Sequence, residues 1–109
     1  MISKEEFVTF INSYQEFEKS VDRFDKAITG KSYSTILFES DWYDSVGRML
    51  DIFINSHFSE EAEDWIYYFL WEDIEDKAAY VDDVKYPLKT IDELWEFLLT
   101  DKKLYFKNV

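Results

Sequence analysis

Few residues in this chain could do chemistry. His57 is the only histidine, cysteine is absent, and Gly30 and Gly47 are the only glycines. A hydroxyl nucleophile needs a general base within reach, and His57 is the one imidazole that could serve. No strand–turn–helix nucleophile motif of the Gly-x-Ser-x-Gly kind accompanies it. His57 reads instead as the end of a helix, where a cation suits the negative pole of the dipole. Two glycines cannot build a phosphate-cradling loop or a dinucleotide fingerprint. The acidic pairs lack the alternation, central glycine and terminal glutamate of a calcium loop. His57 with Glu60 or Glu61 has a loosely ligand-like spacing, but one imidazole and acids across a helix break make a weak zinc site. No carboxylate pair stands out as the acid and base of a glycosidase. Without cysteine, disulfides and thiolate metal sites are excluded. The expectation is a protein that is not an enzyme and takes neither cofactor nor metal.

Negative charge is what the chain has in quantity. Its formal net charge is -12, and the acids are unevenly placed. Residues 1–38 hold six acids and five bases, and residues 84–109 hold four acids and five bases. Residues 39–83 hold fourteen acids against Arg48 and Lys77 alone, so the middle of the chain accounts for the whole imbalance. Such a charge repels nucleic acid and anionic membrane surfaces at long range and attracts a basic protein.

Two readings of the acids are open. Acids solvate amphipathic helices, and Glu60, Glu61 and Glu63 also suit the positive pole of a helix start. Mixed charges would solvate as well, however, and like charges three or four apart in a helix repel by roughly a few tenths of a kcal/mol per pair. A surface that tolerates this repulsion fits a docking face for a basic partner. The spacing of ~5–6 Å between such acids resembles that of phosphates along a nucleic-acid strand, which allows a DNA-mimic surface. Glu60, Asp64, Tyr67 and Trp71 fall on one helical side, and a tryptophan and a tyrosine among carboxylates resemble an interface hot spot with a charged rim. The other reading packs Tyr67 and Trp71 under a hairpin or against the first helix. The residues expected to bind a partner are Glu60, Glu61, Glu63, Asp64, Tyr67, Trp71, Glu72, Asp73, Glu75 and Asp76.

These residues must be positioned by a single acidic helical domain, residues 1–109. The length is that of one ordinary domain. Composition is 47% apolar and 20% aromatic, too rich in core material for a disordered chain. Two glycines and the lone Pro87 leave few tight turns and favour helices. Ser3 and Glu6 form a capping-box pattern in which the hydroxyl takes one free N–H and the carboxylate another. Phe7, Phe10, Ile11, Tyr14, Phe17, Val21, Phe24 and Ile28 then recur at spacings of three and four, predicting a helix from about Ser3 to Thr29 with Gly30 as its stop. Such a helix is ~37 Å long, more than a domain of this size needs, so part of it projects and could meet a partner or a second copy. Its aromatic stripe suits packing within its own bundle better than a dimeric seam, which prefers Ile, Val and Leu.

Residues 32–38 read equally as a short β-branched strand or a linker. A second helix follows Ser40 or Asp41, with Trp42, Val46, Met49, Leu50, Phe53 and His57 on one face. Ser59 caps a third, which turns Trp65, Ile66, Phe69 and Leu70 inward and fades near Asp73. Ala78 to Val81 and Val84 to Leu88 read as a hairpin about Asp82-Asp83, with Pro87 at an edge or strand end. Thr90 and Glu93 form a second capping box, opening a last helix with Ile91, Leu94, Trp95, Leu98 and Leu99 buried. Lys102, Lys103 and Lys107 suit that helix's C-terminus, followed by an apolar tail that packs back. The predicted fold class is α+β, mostly helical, with about four helices and a small β-hairpin between the last two. No basic-then-apolar segment opens the chain, and no apolar run approaches the ~20 residues needed to span a bilayer. The expected address is the cytoplasm.

The stretch from Trp65 to Asp73, the Tyr-Val/Val-Lys-Tyr hairpin and the run from Thr90 to Leu98 resemble small acidic proteins of phages and mobile elements, over about the C-terminal half. That resemblance implies no catalytic motif. It implies an inhibitor of a host defence protein, of the anti-CRISPR, anti-restriction or DNA-mimic type. The alternative from another class is a small structural or assembly protein that oligomerises through the long N-terminal helix.

Overall fold

A computed structural model describes residues 1–28 and 41–109. The stop at Gly30, the strand or linker at 32–38, the cap at Ser40 and the packing of Trp42 lie outside the described residues. Helix α1 spans Lys4–Ile28. Ser3 Oγ accepts from the Glu6 N–H at 3.1 Å, as the capping pattern predicts. The Glu6 carboxylate takes the Ser3 hydroxyl at 3.1 Å, in place of the backbone N–H expected of it. The predicted stripe is buried at Phe7, Ile11 and Val21, but Phe24 is 54% exposed. The first half of the helix finds a partner in the last long helix, through Phe7 on Trp95 at 5.2 Å and Lys4 with Asp92 at 3.4 Å. The radius of gyration is 15.8 Å and the longest extent 48 Å. A compact chain of this length would have a radius of ~13 Å, so the molecule is elongated.

Helix α2 spans Asp41–His57. Leu50 is buried as expected, whereas Met49 is 56% exposed and Ile54, not foreseen on the inner face, is fully buried. The buried arc runs Leu50, Ile54, Phe58 at four-residue steps, which rotates Met49 outward. Ser59 then caps α3, Glu60–Trp71, accepting from the Ala62 N–H at 3.3 Å. Ala62, Ile66 and Phe69 form its buried face, with Trp65 and Leu70 packed at the margin.

The hairpin follows as β1, Ala78–Val81, and β2, Val84–Pro87, antiparallel with Tyr80 opposite Lys85 and Val81 opposite Val84. Asp82 and Asp83 both have positive φ, 51° and 64°, the backbone of a type I′ turn, which aspartate tolerates better than most residues. Pro87 ends its strand, and the ladder continues through the Leu88 N–H to Lys77 O at 2.9 Å. Helix α4, Ile91–Leu99, has a complete capping box: Thr90 Oγ1 accepts from the Glu93 N–H, and Glu93 Oε1 accepts from the Thr90 N–H. It buries Leu94, Trp95, Phe97 and Leu98.

The lysines after it do not extend α4. Thr100 closes the helix by donating both its N–H and its hydroxyl to Phe97 O. Asp101 then caps a separate short helix α5, Lys102–Tyr105. The apolar tail does pack back. Tyr105 and Phe106 are buried, the Ser59 N–H donates to Tyr105 O, and the Lys107 N–H to His57 O, each at 3.0 Å. Phe58 sits between Phe7, Phe53 and Phe106 at ring-centroid distances of 5.5, 6.4 and 5.1 Å. The fold is α+β and mostly helical, with five helices among the described residues and the hairpin between α3 and α4. No described helix is long and apolar enough to cross a membrane.

Candidate protein-binding face

Helix α3 positions most of the residues expected to meet a partner. Its inner face is fixed by Ala62, Ile66 and Phe69, so Glu60, Asp64 and Trp71 are exposed on the opposite side, with Tyr67 half-buried beside them. The start of the helix is held by Ser59, whose hydroxyl also donates to Leu104 O at 2.6 Å. The end is held by Lys77. No basic residue occupies the last turn of α3, and Lys77 reaches back to donate to Phe69 O at 2.7 Å, where a cation meets the helix's negative pole. Its ammonium also lies 5.5 Å from the centre of the Phe69 ring.

Tyr67 and Trp71 stack with ring centroids 4.4 Å apart and 15° between planes. The Tyr67 hydroxyl donates to Asp51 Oδ1 on α2, and the Trp71 indole N–H donates to Glu18 Oε1 on α1 at 3.1 Å. Partial burial, with the hydrogen bond to Asp51 and the charges of Asp51 and Glu63 added, pushes the Tyr67 phenol well above its ordinary value of 10.0. The pair is therefore tied to α1 and α2, yet Trp71 remains 55% exposed. Elements of both readings made from the sequence meet here: the rings contact neighbouring helices and also present an open surface.

The ten expected residues do not share one face. Glu60, Asp64, Tyr67 and Trp71 lie together, and Glu63 joins them beside Tyr67. Glu61 turns to the other flank, where its charge acts on Tyr105. Glu72 and Asp73 line a 310 Å³ cleft with Gln15, Lys77 and Lys89 beyond Trp71. Glu75 is exposed in the turn before the hairpin. Asp76 pairs with Lys89 at 2.8 Å, which holds its carboxyl below the usual range and raises Lys89.

Asp44, Gly47, Arg48, Leu50 and Asp51 of α2, with Trp71, line a second cleft of 370 Å³. Asp44 and Asp51 recur seven apart, a helical repeat that the charge count alone did not separate from the other acids. Glu18 had no signal of its own, since it lies in the balanced N-terminal third. No family model, curated protein or solved structure matches the chain.

Proposed function

We propose that this chain is a non-catalytic protein-binding domain, of phage or mobile-element type and acting in the cytoplasm, that occludes a basic, nucleic-acid-binding surface of a host defence protein in the anti-CRISPR or DNA-mimic manner. One observation supports this reading above the rest. Glu60 and Asp64 are exposed on the same side of α3 as the half-exposed Trp71, and Glu72, Asp73 and Glu75 are exposed in the segment that follows it, while the cations Lys77 and Lys89 are engaged by Phe69 O and Asp76. The surface therefore carries its negative charge outward, and a basic partner neutralises it.

Affinity capture from a bacterial lysate, run at low and high salt, tests the reading. A single basic, nucleic-acid-binding protein, retained at low salt and lost at high salt, is the expected outcome. Reversal of Glu60, Asp64, Glu72 and Asp73 to lysine abolishes its capture. Capture that survives this reversal at low salt overturns the proposal. A second reading, self-assembly through the long helix, is favoured by the exposure of Phe24 at 54%, Met49 at 56% and Ile52 at 65% on α1 and α2. A monomer at every concentration in sedimentation removes it.

A further inference from the structure

The end of α3 carries an aromatic arrangement that core packing does not demand. Tyr67 and Trp71 stack, and hydrogen bonds to Asp51 and Glu18 hold both rings in place. One indole face lies on Tyr67 and the N–H edge on Glu18, and Trp71 is still 55% exposed. Trp71 lines the 370 Å³ cleft whose other walls, among the described residues, come from α2. Gly47 lines the same cleft. Glycine is a poor choice for a helix interior, and here no close approach among the described residues requires it, because an added Cβ would meet none of them within 4 Å. The consequence of Gly47 is open space beside the tryptophan.

We infer that this cleft receives one arginine side chain of the partner, its guanidinium stacked on the indole of Trp71 and donating to the carboxylates of Asp44 and Asp51. The inference rests on the reading of a basic protein partner and specifies the residue type that partner must present. Indole is the aromatic surface that attracts a cation most strongly, and a guanidinium is flat, weakly hydrated and able to stack on it. Ammonium is a compact, strongly hydrated charge and fits a planar wall less well. The charge agrees. Asp44 and Asp51 line the cleft, Glu18 and Glu63 adjoin the two rings, and Arg48 is the one cation among the described residues of the lining. Tyr67 takes one oxygen of Asp51, Oδ1, and Asp51 also lines the cleft. The rings are already ordered, so little rotamer freedom is lost on binding, as in other aromatic anchors. Arg48 competes with the incoming guanidinium, and its removal strengthens binding.

The test titrates the full chain with a capped tripeptide that holds arginine between two glycines, following the Trp71 indole N–H resonance, which is assigned by its loss in Trp71→Phe. A saturable shift is expected, about tenfold weaker with the lysine tripeptide and absent with the uncharged citrulline one. Gly47→Leu fills the cleft and weakens the arginine peptide by at least about tenfold, with circular dichroism confirming the fold. Arg48→Ala tightens it. Equal shifts with citrulline, no shift of Trp71, unchanged binding in Gly47→Leu, or weaker binding in Arg48→Ala each overturn the inference. The two proposals fail separately. Arginine-specific binding without any basic partner in a lysate keeps the cleft and removes occlusion; partner capture lost on charge reversal, without an arginine-specific shift, keeps occlusion and removes the cleft.

Discussion

Trp95 lies midway along α4 and Trp71 at the last position of α3, and the fold treats them in opposite ways. Trp95 on α4 is 4% exposed and contacts Phe7 and Phe106 at 5.2 and 5.4 Å. Trp71 on α3 is 55% exposed, stacks on a neighbour of its own helix and donates its N–H to a carboxylate. The first joins α1 to the C-terminal tail. The second is tied to α1 through a hydrogen bond to Glu18. The contrast follows the charge: 84–109 is nearly balanced and built for packing, whereas 39–83 holds fourteen acids and leaves Trp71, one of its three tryptophans, at the surface. A tryptophan's apolar area is worth most when removed from water, so leaving one exposed among acids is a poor use of it for stability and a good one for recognition.

The largest predicted difference tests this division directly. Trp95→Ala should lower unfolding free energy by about 3–5 kcal/mol, the usual range for an aromatic lost from a packed core. Trp71→Ala should lower it by only about 1 kcal/mol, the worth of one aromatic pair. Urea denaturation of both variants measures the gap, and equal losses would show that Trp71 is a packing residue. A smaller effect is expected at the junction. Ser59→Ala removes both the N-cap of α3 and the bond to Leu104 O and should cost about 1–2 kcal/mol in the same assay. The smallest concerns pH. Because the folded state raises the Tyr67 phenol above 10.0, the stabilisation from this group is fully present below that value and is lost as pH rises through the folded one. Tyr67→Phe should therefore soften the alkaline fall in melting temperature, and an alkaline limb identical to that of the parent would deny the Tyr67–Asp51 bond that role.

Local signals made much of the fold legible. The cap at Ser59, the box at Thr90 and Glu93, and the hairpin about Asp82-Asp83 depend on residues within a few positions of one another. Spacing points Met49 inward and leaves Ile54 off the inner face, because periodicity admits two adjacent stripes on α2 and only tertiary packing around Phe58 selects between them. The break at Thr100 was hidden because lysines suit a helix end as well as a new helical turn. Of the candidate face, the Glu60–Asp64–Trp71 side followed from helical spacing. The ties to Asp51 and Glu18, the cleft at Gly47, and the engagement of Asp76 by Lys89 join residues far apart in the chain, and no local pattern encodes them.

The clasp at Ser59 has a consequence for the order of assembly. The residue that starts the acidic helix is bonded to Leu104 and Tyr105, 45 positions later for the hydroxyl contact. On a ribosome, residues 60–76 emerge well before α5, which fixes their start, and before Lys89, which pairs with Asp76. The acidic face thus takes its final shape only when the last helical turn is available, and a partner meeting the nascent chain earlier would encounter charge without geometry.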